Sequence, residues 1–173
     1  DPTATATTVI SDDADVTTVS LTATPAAAEG GSITYTATLD NPTETALSLT
    51  LSNGAVINIA AGASTGSASF TAGDDVYADA ASNYTVSIAG SSGGNFESLD
   101  TTATATTTIS DDADVTTVSL AATPAVAEGG SITYTATLDN PTETARCVTR
   151  SSRWVPYLSN GASTGTASFT AGD

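Results

Sequence analysis

Acidic side chains are the most abundant ionisable groups of this chain, and many of them are clustered. Nineteen Asp and Glu stand against three Arg, with no Lys or His, and the formal net charge is −16. Many of the carboxylates fall in short clusters, such as Gly73-Asp-Asp75 and Ser110-Asp-Asp-Ala-Asp114. Clustered carboxylates repel one another unless a cation lies among them. Calcium takes about six to eight oxygen ligands in a flexible geometry, so the clusters indicate calcium binding.

Regular alternation of apolar residues with Thr or Ser predicts β-strands, and the acidic clusters follow or separate these strands. It runs through seven segments, at 19–24, 33–39, 47–51, 56–59, 67–71, 84–88 and 102–109. A period of two is typical of half-buried strands, and Gly, Pro and Asn residues mark turns between them. Seven short strands in about 100 residues predict an all-β, immunoglobulin-like Greek-key sandwich. No segment has a convincing helical period.

In a sandwich of this kind the first, third and fifth loops lie at one end of the domain, together with the end of the last strand. This order gathers seven carboxylates at one pole, which also carries Asn53. The predicted metal ligands are Glu29, Asp74, Asp75, Asp79, Asp111, Asp112 and Asp114. The alternative is an acidic linker that is simply solvated. We favour a metal site because three separate acidic loops converge. Magnesium keeps more of its own water, and zinc or copper would need His or Cys ligands.

A long internal repeat defines the domain organisation. Residues 16–46 return almost unchanged at 115–145, at an offset of 99 residues (115 − 16). A period of this length corresponds to a whole domain. We therefore expect residues 1–15 to be the last strand and acidic linker of a preceding module. Residues 16–114 form one complete module, and residues 115–173 form part of a second. Because the chain has no Met, we expect it to be an internal piece of a longer protein.

Charge and composition exclude several function classes. Binding to nucleic acid or to anionic lipid requires basic surface, which this chain does not have. No apolar run is long enough to span a membrane. An enzyme would need a base paired with a nucleophile or with metal-bound water, and the carboxylates instead recur once per module. We therefore expect a protein that is not an enzyme, binds no nucleic acid and does not insert into the membrane.

One window breaks the repeat. Residues 47–61 and 146–160 agree at three positions only, although both flanks match closely. All three Arg, the single Cys147 and the single Trp154 lie inside 146–160. Arg and Trp are favoured in binding patches, which is one interpretation. A local frame shift or an assembly error within a repeat is the other, and we favour it.

Several motifs together resemble a known group of proteins. They are Val-Ser-Leu-x-Ala-Thr-Pro, Glu-Gly-Gly-Ser-Ile-Thr-Tyr-Thr-Ala-Thr-Leu, Ser-Phe-Thr-Ala-Gly-Asp-Asp and Thr-Ile-Ser-Asp-Asp-Ala-Asp. Nearly the whole chain is similar to the tandem repeats of very large RTX-type biofilm adhesins, which bacteria secrete by the type I pathway. It resembles the Calx-β sandwich more loosely. The resemblance implies calcium at domain ends and linkers. It extends the predicted ligand set to counterparts in neighbouring modules, which are Asp12, Asp13, Asp15, Glu128 and Asp173.

The resemblance also implies a secreted stalk on the bacterial cell surface, in which Ca²⁺ bridges neighbouring repeats of the same chain and stiffens them. Such an extender would support cell adhesion and biofilm formation. A second hypothesis is that the repeat itself binds a surface glycan or a protein ligand. A sugar site usually presents a planar ring, and Tyr77 and Phe96 are the loop aromatics of the complete module. We favour the extender.

Overall fold

A computed structural model describes residues 4–11, 13–148 and 156–172. This part of the chain is all β, and it divides into two compact units, the first containing β1 to β9 and the second β10 to β14. The strands of the first unit are β1 Val16–Ala23, β2 Ala26–Ala28, β3 Ser32–Leu39, β4 Leu47–Leu51, β5 Val56–Ile59, β6 Thr65–Thr71, β7 Ser82–Gly93, β8 Ser98–Asp100 and β9 Thr104–Ser110. The described residues include no helix that could span a membrane.

Two sheets form the sandwich of the first unit. One has the order β6-β3-β1-β8, and the other has the order β2-β9-β7-β4-β5. The chain changes sheets between β1 and β2, at Pro25. The pairing of β9 with β7 is antiparallel, whereas β9 pairs with β2 in parallel. This arrangement confirms the predicted all-β sandwich.

The alternation of residue types sets which side chains enter the core. Along β3, the side chains of Ile33, Tyr35, Ala37 and Leu39 are buried, and the Thr residues between them face outward or are only half-buried. The apolar residues of β4 and β5 are buried in the same way, except for Val56. Removing this much apolar surface from water is the main stabilising term for such a small domain.

The structure corrects several predicted strand limits. Strand β2 lies between the predicted strands 19–24 and 33–39, where Pro25 and Gly30 indicate a turn, and β8 was not predicted. Strand β7 continues to Gly93, through residues whose glycine content indicates a turn. Strand β9 starts at Thr104 and not at residue 102. The short strands β2 and β8 exist through parallel pairing with distant strands, which local alternation cannot predict.

The second unit repeats part of this architecture. Strands β10 Val118–Ala122, β11 Ser131–Leu138 and β14 Thr164–Thr170 form one sheet, in the order β10-β11-β14. Their register copies that of β1, β3 and β6; Tyr134 pairs with Ala122 and Ala167 as Tyr35 pairs with Ala23 and Ala68. Two short strands, β12 Arg146–Cys147 and β13 Tyr157–Leu158, form a separate pair. They lie in the window that breaks the repeat, and Trp154 falls outside the described residues.

Candidate functional site

The loop between β2 and β3 is held between the ends of two other strands. The backbone N–H of Glu29 donates to the carbonyl of Ser110, at the end of β9, over 2.9 Å. The N–H of Gly30 donates to the carbonyl of Gly73 over 3.1 Å, and the N–H of Ala72 donates to Gly31 over 2.9 Å. These backbone hydrogen bonds fix three separate segments at one pole of the first unit.

A left-handed glycine positions the acidic side chains of this pole. Gly30 has a φ of +64°, and a Cβ built on it would lie 3.5 Å from Cγ of Asp74. Residues with a Cβ rarely adopt this conformation. The motif Glu-Gly-Gly therefore turns the chain sharply and lets the Asp74 carboxylate lie close to the backbone that carries Glu29.

Three carboxylates meet here. Ligand oxygens of Glu29, Asp74 and Asp112 all lie within 4.8 Å of one another. Glu29 is half-buried, whereas Asp74 and Asp112 are exposed. Asp112 follows the last residue of β9 by two positions, so it reaches the pole directly from the strand to which Glu29 is hydrogen-bonded. An arrangement of this size can surround a hard divalent cation, with water or carbonyl oxygens as further ligands.

The remaining predicted ligands lie outside this group, which we name the acidic triad (Glu29, Asp74 and Asp112). The Asp75 carboxylate instead accepts a hydrogen bond from the Tyr77 N–H, over 2.8 Å. The side-chain oxygen of Asn53 accepts one from the Ala55 N–H, over 3.1 Å. Asp79, Asp111, Asp114, Asp13, Asp15 and Glu128 are also not part of the triad. Asp12 and Asp173 lie outside the described residues.

The second unit repeats two of these backbone hydrogen bonds. The N–H of Gly129 donates to the carbonyl of Ala171 over 3.1 Å, and the N–H of Ala171 donates to Gly130 over 2.8 Å. Gly129 has a φ of +74°, close to that of Gly30. The turn at Glu128 and Gly129 therefore repeats the turn at Glu29 and Gly30, although the Glu128 side chain is exposed.

Several carboxylates that were not predicted as metal ligands accept hydrogen bonds elsewhere in the first unit. The Asp40 carboxylate accepts a hydrogen bond from the Thr18 N–H over 2.9 Å, and Glu97 accepts one from the Asp15 N–H over 2.7 Å. Glu44 accepts from the Asn95 side-chain amide. Asp139 repeats the first of these contacts with the Thr117 N–H. The recurrence of Asp-Asn-Pro at residues 40 and 139 is the signal that could have indicated this role.

Asp100 illustrates the same use of a carboxylate. It accepts a hydrogen bond from the Thr102 N–H over 3.0 Å, just after β8. This backbone hydrogen bond favours the ionised form, and it lowers the pKa of Asp100 below its ordinary value. Asp40, Glu97 and Asp100 thus fix backbone amides, whereas the carboxylates of the triad lie close to one another.

The fold and the acidic pole define the class of this protein: it is a tandem β-sandwich repeat with an acidic pole. The LapA domain family matches residues 15–112 and again residues 114–173, two segments that start 99 residues apart (114 − 15). The chain therefore belongs to the LapA domain family. LapA is a family of large biofilm adhesins, which associates this repeat with adhesion at the cell surface. A search of curated proteins finds no match.

Proposed function

We propose that this chain is a calcium-binding extender repeat of a bacterial cell-surface adhesin, with no catalytic role. Calcium at the acidic pole would stiffen successive modules and hold a distal adhesive region away from the cell, in support of biofilm formation. The family relationship supports the adhesin part of the proposal. The observation that carries the calcium part is the acidic triad, in which three segments distant in sequence place carboxylate oxygens within 4.8 Å of one another.

The charge of the chain supports a cation at the triad. All three basic side chains belong to residues 146–153, more than 30 positions after Asp112 (146 − 112). The first module therefore has no basic side chain of its own to neutralise its carboxylates. Bringing like charges together costs free energy, and a bound divalent cation reverses the sign of that interaction. Ca²⁺ suits the triad better than Mg²⁺, because it accepts several carboxylates in an irregular geometry.

The position of Asp112 connects cation binding with stiffness. Asp112 belongs to the segment that leaves β9, whereas Glu29 and Asp74 belong to loops of the first unit. A cation shared by the three would restrict the backbone of the departing segment. Without the cation, repulsion among the carboxylates would favour a looser segment. Low calcium before secretion and high calcium outside the cell would then switch the array from flexible to stiff.

Isothermal titration of the whole chain with CaCl₂, paired with small-angle X-ray scattering, tests this proposal. We expect saturable Ca²⁺ binding, weaker binding of Mg²⁺, and a longer maximum dimension in Ca²⁺ than in chelator. Asp112→Asn should weaken binding and reduce the change in dimension. Glu97→Gln is the matched control, because Glu97 bonds the Asp15 amide and lies outside the triad. Absence of saturable Ca²⁺ binding would overturn the calcium part of the proposal.

A further inference from the structure

The strands that begin and end the first unit run side by side in the same direction. Strand β1 pairs in parallel with β8 in one sheet, and β2 pairs in parallel with β9 in the other. Only Thr24 and Pro25 separate β1 from β2, and only residues 101–103 separate β8 from β9. Parallel pairing therefore joins the segment that enters the module to the segment that leaves it, once in each sheet.

The first of these parallel patches lies where the chain enters the module. Residues 16–18 of β1 pair with the three residues of β8. One residue earlier, the Asp15 N–H donates to the Glu97 carboxylate over 2.7 Å. The entering chain is therefore attached, from residue 15 onward, to the segment that leads into the last strand.

The second parallel patch lies where the chain leaves the module. Strand β2 pairs with the end of β9. The Thr108 N–H donates to the Pro25 carbonyl over 3.0 Å, and the Glu29 N–H donates to the Ser110 carbonyl over 2.9 Å. These contacts extend the pairing by one residue on either side of β2. We name this patch the β2–β9 clamp, which consists of residues 24–29 and 107–110.

A buried side chain also crosses the clamp. The Thr107 hydroxyl donates to the Thr24 carbonyl over 2.7 Å, and Thr107 is 0% exposed. Thr24 lies at the point where the chain passes from one sheet to the other, just before Pro25, which has no N–H to donate. The hydroxyl therefore attaches β9 to the crossing point itself, beyond the end of β2.

The direction of these strands determines how the module resists a pull. Tension along a tandem array enters the module before β1 and leaves it after β9. Strands β2 and β9 are parallel, so the tension pulls them past each other along their length. A load in this direction is shared by all the hydrogen bonds of the clamp, which must then break together. A load across a strand end would instead break such bonds one at a time.

We propose that the β2–β9 clamp is a mechanical clamp that allows this module to bear tension along the chain. Load bearing belongs to the extender part of the proposed function, and the clamp itself contains no metal ligand apart from Glu29, which contributes its backbone N–H. Forced unfolding is governed by the rate of unfolding. Contacts within the clamp should therefore set the lifetime of the module under force, whereas equally buried contacts elsewhere should affect mainly its equilibrium stability.

Constant-force unfolding of the whole chain, held at its two ends in magnetic tweezers, tests the proposal. A step of about 300 Å identifies the first unit, since 95 residues separate the start of β1 from the end of β9 (110 − 16 + 1) and each extends by about 3.3–3.6 Å. Thr107→Val removes the buried hydroxyl from the clamp. We expect this variant to unfold about tenfold faster than the parent chain at the same force.

Thr43→Val is the matched control for Thr107→Val. Thr43 is also buried, but its hydroxyl donates to the carbonyls of Thr45 and Gly94, which lie in loops and not in the clamp. Both variants lose a buried hydroxyl, so both should be less stable in urea. Under force, Thr43→Val should unfold at close to the parent rate.

Proline substitutions in β2 give a second, independent comparison. Pro25 and Glu29 both bond to β9, so the alternation of the strand directs the Ala27 N–H toward β9 and the Ala26 N–H away from it. Ala27→Pro should therefore speed unfolding under force. Ala26→Pro is its matched control, because β2 is an edge strand, where a proline at a position whose N–H points away from the sheet is tolerated.

Measurements in chelator and in CaCl₂ separate the clamp from the calcium part of the proposed function. We expect the same order of unfolding rates among the variants in both solutions, whether or not Ca²⁺ slows the unfolding of the parent chain. The proposal is overturned if Thr107→Val and Thr43→Val unfold at equal rates under force, or if Ala27→Pro unfolds no faster than Ala26→Pro. A parent chain whose first unit extends without a discrete step would also contradict it.

Discussion

The backbone N–H of Glu29 donates a hydrogen bond to the carbonyl of Ser110 over 2.9 Å, and this contact joins the loop after β2 to the end of β9. It fixes the distance between the loop that carries Glu29 and β9, the strand that ends two residues before Asp112. A second contact, from Gly30 to Gly73, fixes the loop that carries Asp74. The acidic triad is therefore assembled by backbone hydrogen bonds, and its side chains converge because the loops beneath them are tied together.

Gly30→Ala should disturb the triad through the backbone. The residue has a φ of +64°, where a Cβ costs about 1–2 kcal/mol, and the new methyl group would contact the Asp74 side chain. We expect a lower melting temperature and weaker Ca²⁺ binding. Gly73→Ala is the matched control, since a Cβ there meets no atom within 4 Å. Equal effects of the two changes on Ca²⁺ affinity would contradict this role for Gly30.

Asp40→Ala should destabilise the first unit without affecting the acidic triad. It removes the acceptor of the Thr18 N–H, a charge-assisted hydrogen bond of 2.9 Å. Because Asp40 is exposed, we expect a cost of about 1 kcal/mol, measured by urea unfolding in chelator. Asp40→Asn keeps a side-chain oxygen in place and should recover most of the loss. If Asn is as damaging as Ala, the carboxylate acts through charge and not as the acceptor of this bond.

The two units should respond differently to the same core truncation. Ile33 is fully buried, so Ile33→Ala should cost about 2–5 kcal/mol. Its counterpart Ile132 is only half-buried, and Ile132→Ala should cost clearly less. Hydrogen exchange followed by mass spectrometry reports protection in β3 and β11 separately, which a single global melt does not. Equal loss of protection in the two strands would show that the second unit is as well packed as the first.

Alkaline pH should destabilise the first unit through Tyr35. Burial, followed by the neighbouring Tyr84, raises the pKa of Tyr35 above its ordinary value of 10.0, and the Asn53 side chain partly opposes the shift. The neutral phenol is thus the form that the folded state favours. Its contribution to stability is complete below pH 10.0 and is lost as the pH rises through the raised pKa.

Tyr35→Phe removes that titration. Its melting temperature should therefore fall less steeply than that of the parent chain as the pH rises above about 10. Tyr134→Phe is the matched control, because Tyr134 is the half-buried counterpart in the second unit. Parallel curves for the parent chain and Tyr35→Phe would exclude Tyr35 as the group responsible.

Alternation of Thr with apolar residues predicted β3, β4 and β5 almost to the residue, because each of these strands buries one face and exposes the other. It could not predict β2, whose three Ala residues follow Pro25 and form a strand only by pairing with Thr108, Ile109 and Ser110. Strand β8 depends in the same way on β1. Parallel partners so distant in sequence leave no local periodic pattern.

The position of the acidic triad at one pole was predictable, but its individual members were not. Loop order in an immunoglobulin-like sandwich places the loops of Glu29 and Asp74 and the end of β9 together. Which member of a pair such as Asp74 and Asp75 joins the triad depends on loop geometry. Asp75 caps its own turn by accepting the Tyr77 N–H, a choice that residue type and spacing do not determine. The role of Glu97 could not be predicted for the same reason, whereas the recurrence of Asp-Asn-Pro could have indicated that of Asp40.

Thermal melting of the whole chain in Ca²⁺, in Mg²⁺ and in chelator shows whether the folded acidic pole binds calcium. A ligand that binds only the folded state stabilises it by about 2.7 kcal/mol at a hundredfold excess over Kd. For a domain of this size we expect a hundredfold excess of Ca²⁺ over Kd to raise the first unit's melting temperature by about 10–20 °C. Mg²⁺ should have a much smaller effect, and Asp74→Asn should remove most of the Ca²⁺ effect. Identical melting in Ca²⁺ and in chelator would contradict calcium binding at the acidic pole. Its carboxylates would then simply be solvated.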